Sequence, residues 1–407
     1  MRVETVAIGN EIIEGRTIDT NGAFLGRELT DRGYRVSRHT VLSDEPEALF
    51  QGLKEALSRS TLVVATGGLG PTVDDLTKNV SLRLFRTALQ MDSNLYDEMR
   101  ERLGDLPSLQ EQSRVPKNAI VLRNQIGTAP GFLFLSTEGS LMLLPGVPRE
   151  MEQMFRDEAS RLLSEHFPVV AKEQTVCLYL CQLSELKLDP ILREIQSAHP
   201  DAKIGIYPSL GSLQVQFAVS RDFDRLDQWA ERIRKIFPTH LFDGPAIHEA
   251  IQRALISRGQ TLALAESCTG GALCSRLVSM PNASKYLLGS VVAYSNEWKE
   301  HFLSVKHETL EEQGAVSVET AREMVEGLFQ HTKADFAIAI TGIAGPIGGT
   351  EENPVGTIFI AIGERGGTID AGKIMAPPHR SSAIEFALQY ALGALWRRLA
   401  YQTLTFI

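Results

Sequence analysis

Ser267 and Cys268 are the side chains of this chain best placed to attack a carbonyl. They follow the apolar run Leu262-Ala-Leu-Ala and precede Thr269-Gly270-Gly271, after which Ala272–Val278 has a helical pattern. A nucleophile on such a strand-to-helix turn stands proud of a sheet. The glycines let backbone N–H groups come close to a substrate, and a helix N-terminus favours developing negative charge. The amides near Gly270 and Gly271 are therefore candidate oxyanion donors, and the chemistry indicated is acyl transfer or hydrolysis. A thiol at a helix start ionises readily, so Cys268 competes with Ser267, although no histidine in these motifs would pair with a cysteine.

Lys299 is the candidate base. The strand-like Val291–Tyr294 ends just before Asn296, which suits a helix N-cap and puts Lys299 at the third helical position. The positive end of the macrodipole there disfavours its charged form. Tyr294, from the same strand end, can orient or relay a proton. A further apolar strand, Asp335–Thr341, opens into glycines at 342, 345, 348 and 349, a loop able to offer amides to a phosphate or oxyanion. Arg380, ahead of the helix-like Ser381–Leu399, suits an anionic group. Taken singly, each is as compatible with a surface lysine, a plain turn or a solvated arginine.

A second constellation lies at Thr61-Leu-Val-Val-Ala-Thr66-Gly67-Gly68-Leu-Gly70-Pro71-Thr72-Val-Asp74-Asp75. A buried strand entering a glycine turn can cradle a phosphate, and the paired carboxylates suit a hard cation bridging phosphate oxygens. Either aspartate would equally cap the helix that follows.

The elements that must position these residues fall into three segments. With 407 residues the chain exceeds one ordinary core. Residues 1–168 alternate strand-like and helix-like runs, which predicts a mostly parallel sheet covered on both faces. Residues 172–243 have the texture of a small α+β module, with strands at Thr175–Cys181 and Leu213–Val219 and helices at Leu188–Ser197 and Leu226–Phe237. Residues 246–401 return to α/β, with strands at 261–266, 290–294, 335–341 and 355–362 whose ends can converge on one site. The fold class expected is α/β.

A net charge of −9 argues against a dedicated nucleic-acid surface. Four cysteines, at 177, 181, 268 and 274, match neither a zinc pair nor a disulfide framework, so reduced thiols are expected. The strand pattern starting at Val3 has no signal-peptide features, and no apolar run reaches about 18 residues. A cytoplasmic protein without membrane association is expected.

In the C-terminal segment Ala265-Glu-Ser-Cys-Thr-Gly-Gly271, Ala293-Tyr-Ser-Asn-Glu297 with Lys299, Gly314-Ala-Val-Ser317 and Thr341-Gly-Ile-Ala-Gly-Pro346 with Gly348-Gly349 resemble the nicotinamide-nucleotide amidase domain of the CinA (competence/damage-inducible protein A) family. The resemblance implies hydrolysis of nicotinamide mononucleotide to nicotinate mononucleotide and ammonia without a cofactor. Ser267 would be nucleophile, Lys299 base and Tyr294 its partner, with Ser284, Thr341 and Arg380 holding substrate. The chain departs from that family's text at Asn353, usually Lys, at Pro378-His379, usually Gly-Asp, and at Ile384, usually Arg.

The N-terminal segment resembles the molybdopterin-binding fold through Gly9-Asn-Glu-Ile12, Thr20-Asn21, Gly127-Thr-Ala-Pro-Gly-Phe132 and Pro145-Gly-Val-Pro-Arg-Glu-Met151. It resembles the N-terminal domain of the CinA family more closely still, which implies a pyrophosphatase acting on ADP-ribose with magnesium, manganese or cobalt, held by Asp74, Asp75, Glu11 and Asp44. The middle module is similar to the family's KH-like linker, but Gly-Ile-Gly-Glu-Ser reads Cys181-Gln-Leu-Ser-Glu185 here. Loss of both glycines predicts a loop that no longer approaches a neighbour closely. A homodimer is implied by the resemblance. The expected whole is a two-activity hydrolase of pyridine-nucleotide salvage; the alternative is a nucleotide- or pterin-binding protein tied to competence or DNA damage.

Overall fold

The computed structural model describes residues 1–72, 75–169, 174–219 and 223–403, and divides into two compact units, Met1–Lys172 and Glu173–Ile407. In the first unit, strands β1 (Arg2–Ile8), β2 (Arg35–Leu42) and β3 (Leu62–Thr66) are followed by a short ribbon of β4 (Leu89–Met91) and β5 (Arg114–Pro116). Then come β6 (Ala119–Leu122), β7 (Gly131–Phe134) and β8 (Ser140–Leu144). The main sheet has the order β2-β1-β3-β8-β7-β6, parallel through β8 and antiparallel beyond it.

Alternate residues of its central strands feed two cores. Val6, Ile8, Val63, Ala65, Leu141 and Leu143 face one, while Val3, Leu62, Val64, Met142 and Leu144 face the other. A sheet buried on both faces needs apolar residues at nearly every position, which β3 and β8 supply.

The second unit holds two sheets. β9 (Gln174–Cys181), β10 (Lys203–Ser209), β11 (Ser212–Val219) and β12 (Leu241–Phe242) form an antiparallel sheet, β10-β11-β9-β12. Helix Glu185–Ala198 and helix Phe223–Ile236 accompany this sheet, whose core includes Leu188, Leu192, Val215 and Phe217. β10 is a strand that local patterning does not predict, because Lys203-Ile-Gly-Ile-Tyr-Pro-Ser209 carries a glycine and a proline that weaken a strand signal.

The remaining strands are β13 (Leu262–Glu266), β14 (Leu287–Val292), β15 (Phe336–Gly342), β16 (Thr357–Glu364) and β17 (Ile369–Met375), in the order β14-β13-β15-β16-β17. The first three are parallel, and β16 and β17 are antiparallel additions. Leu262, Leu264, Ile338 and Ile340 point to the side that carries helices Ile247–Arg258 and Arg380–Tyr401, and Ala263, Ala265, Ala337 and Ala339 to the side of helix Val318–His331. The carboxyl ends of β13, β14 and β15 lie at one edge.

The Cys181–Glu185 loop departs from expectation. Gln182 adopts φ +52° and its side-chain amide donates to the Tyr390 carbonyl at 3.0 Å, while Arg397 donates to Gln182 Oε1 at 3.2 Å. A Cβ on Gly393 would come 2.9 Å from Gln182 Cγ and 3.2 Å from Cys181 Cβ. The loop does approach its neighbour closely, with the missing space supplied by a glycine on the facing helix.

Candidate active site

Ser267 follows the last residue of β13, and its amide donates to the Ile340 carbonyl at 2.9 Å, which ties the turn to β15. Glu266 shapes the turn. Its fully buried carboxylate accepts from the amides of Gly271 (3.1 Å), Leu273 (3.0 Å) and Cys274 (2.9 Å) and from the Ser290 hydroxyl (3.1 Å). An anion is thus already seated at the N-terminus of helix Ala272–Val278, where the dipole favours it. Gly270 and Gly271 take left-handed backbone (φ +61° and +94°), and the Gly270 amide donates to the Ser267 carbonyl at 3.0 Å. Neither glycine amide is therefore unengaged. The amides of Cys268 and Thr269 meet no acceptor in another described residue, and the Thr269 hydroxyl is buried without a partner among those residues.

Lys299 is held from the opposite side. The N-cap of helix Asn296–Leu303 is Ser295, whose side chain accepts from the Trp298 amide, so Asn296 is the first helical residue and Lys299 the fourth. This helix packs tightly on helix Val318–His331: a Cβ on Gly327 would stand 1.7 Å from the Leu303 carbonyl oxygen, so only glycine fits. The Lys299 side chain is 1% exposed and donates to Ser267 Oγ at 3.2 Å and to the Ala293 carbonyl at 3.0 Å. Burial pushes its pKa below the ordinary lysine value, and among the described residues no carboxylate lies within ion-pair distance to oppose this. Desolvation, rather than the helix dipole expected from its position, is the main cause of this shift. Burial pushes the Cys268 thiol up to about 12, so it is neutral at physiological pH although it lies in the turn before helix Ala272–Val278.

Tyr294 is 63% exposed, and its hydroxyl accepts from Arg380 at 3.2 Å; the contacts of Lys299 do not include it. Arg380, the first residue of the C-terminal helix, also donates to the Gly345 carbonyl at 2.9 Å. Tyr294, Arg380 and the glycine loop after β15 thus form one connected group. Thr341 lies level with Ser267 on the adjacent strand, but its hydroxyl donates to the Ala315 carbonyl at 2.7 Å and anchors the Gly314–Ser317 loop. Gly342 pairs within β15–β16. Ser284 lies just before β14, which runs parallel to β13, so it sits at the opposite end of the sheet from Ser267.

The departures also have places. Asn353 donates to the Val316 carbonyl at 3.3 Å and accepts from Lys373 at 3.0 Å; His379 contacts Ser381; Ile384 packs against the core.

In the first unit the Gly67–Gly70 turn follows β3. Gly67 and Gly68 have φ +108° and +67°, and the Gly67 amide donates to the Leu144 carbonyl at 3.2 Å. Three buried polar atoms around this turn have no partner among the described residues. They are Thr77 Oγ1, whose own amide donates to the Gly68 carbonyl; Gln112 Oε1, whose nitrogen donates to the Leu69 carbonyl; and Asn21 Oδ1, whose nitrogen donates to the Gly146 carbonyl. Buried polar atoms left unpaired are costly and point to a missing ligand or water.

The candidate metal-binding acids are otherwise engaged. Asp75 accepts from the Thr72 amide at 3.0 Å and from its hydroxyl, closing the turn that Gly70 enters rather than capping the helix. Asp44 pairs with Asn10, and the Glu11 carboxylate lies over Gly9. Asp74 lies outside the described residues. Among those described, no three metal-ligating side chains cluster, so these residues do not fit a ready metal centre.

Comparison with known proteins follows this division. The CinA C-terminal domain family matches residues 245–399, and the probable molybdopterin binding domain family matches residues 4–165. A putative competence-damage inducible protein of Halothermothrix orenii is 32% identical, with 98% of this chain and 99% of that protein covered. The chain belongs to the CinA family. A CinA-like protein of Thermotoga maritima is 36% identical over 88% of this chain and 89% of its own length. A solved competence damage-inducible protein A from Klebsiella pneumoniae is 36% identical over 39% of this chain and 97% of its own, with a TM-score of 0.37. The α/β fold is that of a CinA protein with a molybdopterin-binding-like N-terminal domain, and among the described residues no helix is long and apolar enough to cross a membrane.

Proposed function

We propose that this CinA-family chain hydrolyses the carboxamide of nicotinamide mononucleotide, with Ser267 as nucleophile and Lys299 as general base. The observation that carries this reading is the 3.2 Å contact between Ser267 Oγ and a buried lysine whose pKa is lowered by desolvation. A neutral amine can take the serine proton, as in Ser-Lys variants of the catalytic triad.

Ser267 Oγ attacks the amide carbon as its proton passes to Lys299 Nζ. The oxyanion that forms lies near the Cys268 and Thr269 amides; the residue after a nucleophile is a common oxyanion donor. Collapse breaks the carbon–nitrogen bond while Lys299 returns the proton to the leaving nitrogen, releasing ammonia and leaving an ester on Ser267. Water, deprotonated by Lys299, then attacks the ester, and nicotinate mononucleotide leaves with Ser267 reprotonated. Tyr294 and Arg380 act on the substrate rather than on Lys299.

The test is ammonia release from nicotinamide mononucleotide by the wild type and Ser267→Ala. Turnover by the wild type and its loss in the variant are expected; absence of turnover in the wild type would remove the amidase.

For the first unit we propose pyrophosphate binding at the Gly67–Gly70 turn and cleavage of ADP-ribose, on the strength of the three unpaired polar atoms around it. Release of AMP and ribose 5-phosphate from ADP-ribose, assayed with and without added magnesium, manganese or cobalt, tests the cleavage; no release under any of these conditions would remove it. Tight pterin binding with no cleavage under any metal would favour the non-catalytic alternative. A homodimer and a cytoplasmic site of action complete the proposal.

A further inference from the structure

Lys373 lies on β17, the edge strand farthest from β14, and belongs to none of the glycine turns. The register places it in one row with the nucleophile: Thr341 on β15 pairs with Phe359 on β16, which pairs with Lys373, while Ser267 continues β13 beside Thr341. Thr341, Phe359 and Lys373 alternate in phase with Ala339, Ala361 and Ala371, so all three face the side that carries Lys299. Three strand spacings separate the main chains of Ser267 and Lys373 by about 14 Å.

A lysine side chain is long enough to cover part of that gap. The Lys373 ammonium lies 5.8 Å from the centroid of the cross-strand Phe359 ring, on the face shared with Lys299. A lysine on an edge strand ordinarily blocks edge pairing and extends into water. Lys373 is solvent-exposed, yet its ammonium donates to Asn353 Oδ1 and to the Glu352 carbonyl, both at 3.0 Å. Asn353 is itself fixed by donating to the Val316 carbonyl, in the loop whose Ala315 carbonyl receives the Thr341 hydroxyl. A chain of hydrogen bonds therefore links Lys373 to the strand end beside Ser267.

An ammonium has three N–H groups and no acceptor. Two are taken here by neutral oxygens, and no carboxylate among the described residues lies within 4.0 Å of Lys373. Its charge is held in place and left uncompensated.

We propose that Lys373, oriented by Asn353, binds the phosphate monoester of the nucleotide whose amide reacts at Ser267. This rests on the amidase reading and adds the residue that distinguishes nucleotide from nucleoside. Lys373 contacts the phosphate; Asn353 is a positioning residue.

The test compares nicotinamide mononucleotide with nicotinamide riboside, which lacks the phosphate, in the full chain. The ratio of their kcat/KM values should fall roughly 10- to 100-fold in Lys373→Ala, the range for losing a hydrogen bond to a charged group, and Lys373→Arg should restore most of it. Asn353→Asp, which supplies a competing carboxylate, should lower the ratio in the same direction. Titration calorimetry with both ligands on Ser267→Ala, with and without Lys373→Ala, reads the same discrimination without turnover. If the wild type releases no ammonia yet Lys373→Ala still weakens nucleotide binding selectively, the amidase fails and the phosphate site stands. Equal weakening of both ligands, or of neither, overturns the proposal, as does discrimination that disappears in Arg380→Ala but persists in Lys373→Ala.

Discussion

Replacing Lys299 with Met tests the amine while retaining much of the buried stem. Two contacts are lost, at 3.2 Å to Ser267 Oγ and 3.0 Å to the Ala293 carbonyl. A positioned general base contributes about 10²- to 10⁴-fold, so kcat for ammonia release should fall by that factor, equivalent to about 3–5 kcal/mol in the barrier. The stability change runs differently. Orphaning the Ala293 carbonyl costs about 1–3 kcal/mol, offset by removal of an amine that burial already penalises when charged.

The pH dependence separates these terms. Because the folded pKa of Lys299 lies below its unfolded value near 10.5, the unfolded chain binds more protons between the two. Stability therefore rises with pH across that window, and the contribution is lost as pH falls through the folded pKa. Urea melts of wild type and Lys299→Met, at a series of pH values below 10.5, should show the wild type gaining relative to the variant as pH rises. The wild-type kcat/KM profile should carry an ascending limb at the same folded pKa. Activity of the variant within tenfold of wild type, or parallel stability profiles, would refute the assignment of Lys299 as a buried base.

Cys268→Ala should retain activity within about threefold, and the wild type should resist iodoacetamide at neutral pH, since the thiol titrates only at about 12. Rapid inactivation by alkylation at Cys268 would contradict this. Glu266→Gln replaces one of the two oxygens that receive three amides and a hydroxyl with a donor facing donors, and should cost about 2–4 kcal/mol in a urea melt. A change below 0.5 kcal/mol would show that the turn does not depend on that carboxylate.

The β13 turn was legible because an apolar run, a nucleophile pair, glycines and a helical pattern occur in sequence, each a local signal. Lys299 was also legible as a helix-start lysine. The cause of its shifted pKa was not, because burial by helix Val318–His331 depends on Gly327, which local spacing does not reveal. Glu266 looks like any strand-end acid until its four donors are seen; it takes the Gly271 amide, and the Ser267 carbonyl takes that of Gly270, which removes both from the oxyanion role. Tyr294 and Thr341 occupy the expected strand ends, but rotamer and neighbour, rather than position, direct their hydroxyls to Arg380 and Ala315. Lys373 gave no motif signal; only strand register brings it level with Ser267. In the first unit the glycine turn was readable, whereas the commitment of Asp75 to Thr72 follows from turn geometry.

The central claim is a covalent step at Ser267. Wild-type enzyme mixed with nicotinamide mononucleotide should be quenched in acid within one turnover, digested and mapped by mass spectrometry. The account predicts a nicotinate mononucleotide ester on the peptide containing Ser267, localised to that side chain and absent from Lys299→Met. An adduct on Cys268, or full ammonia release with no adduct at Ser267, would contradict it.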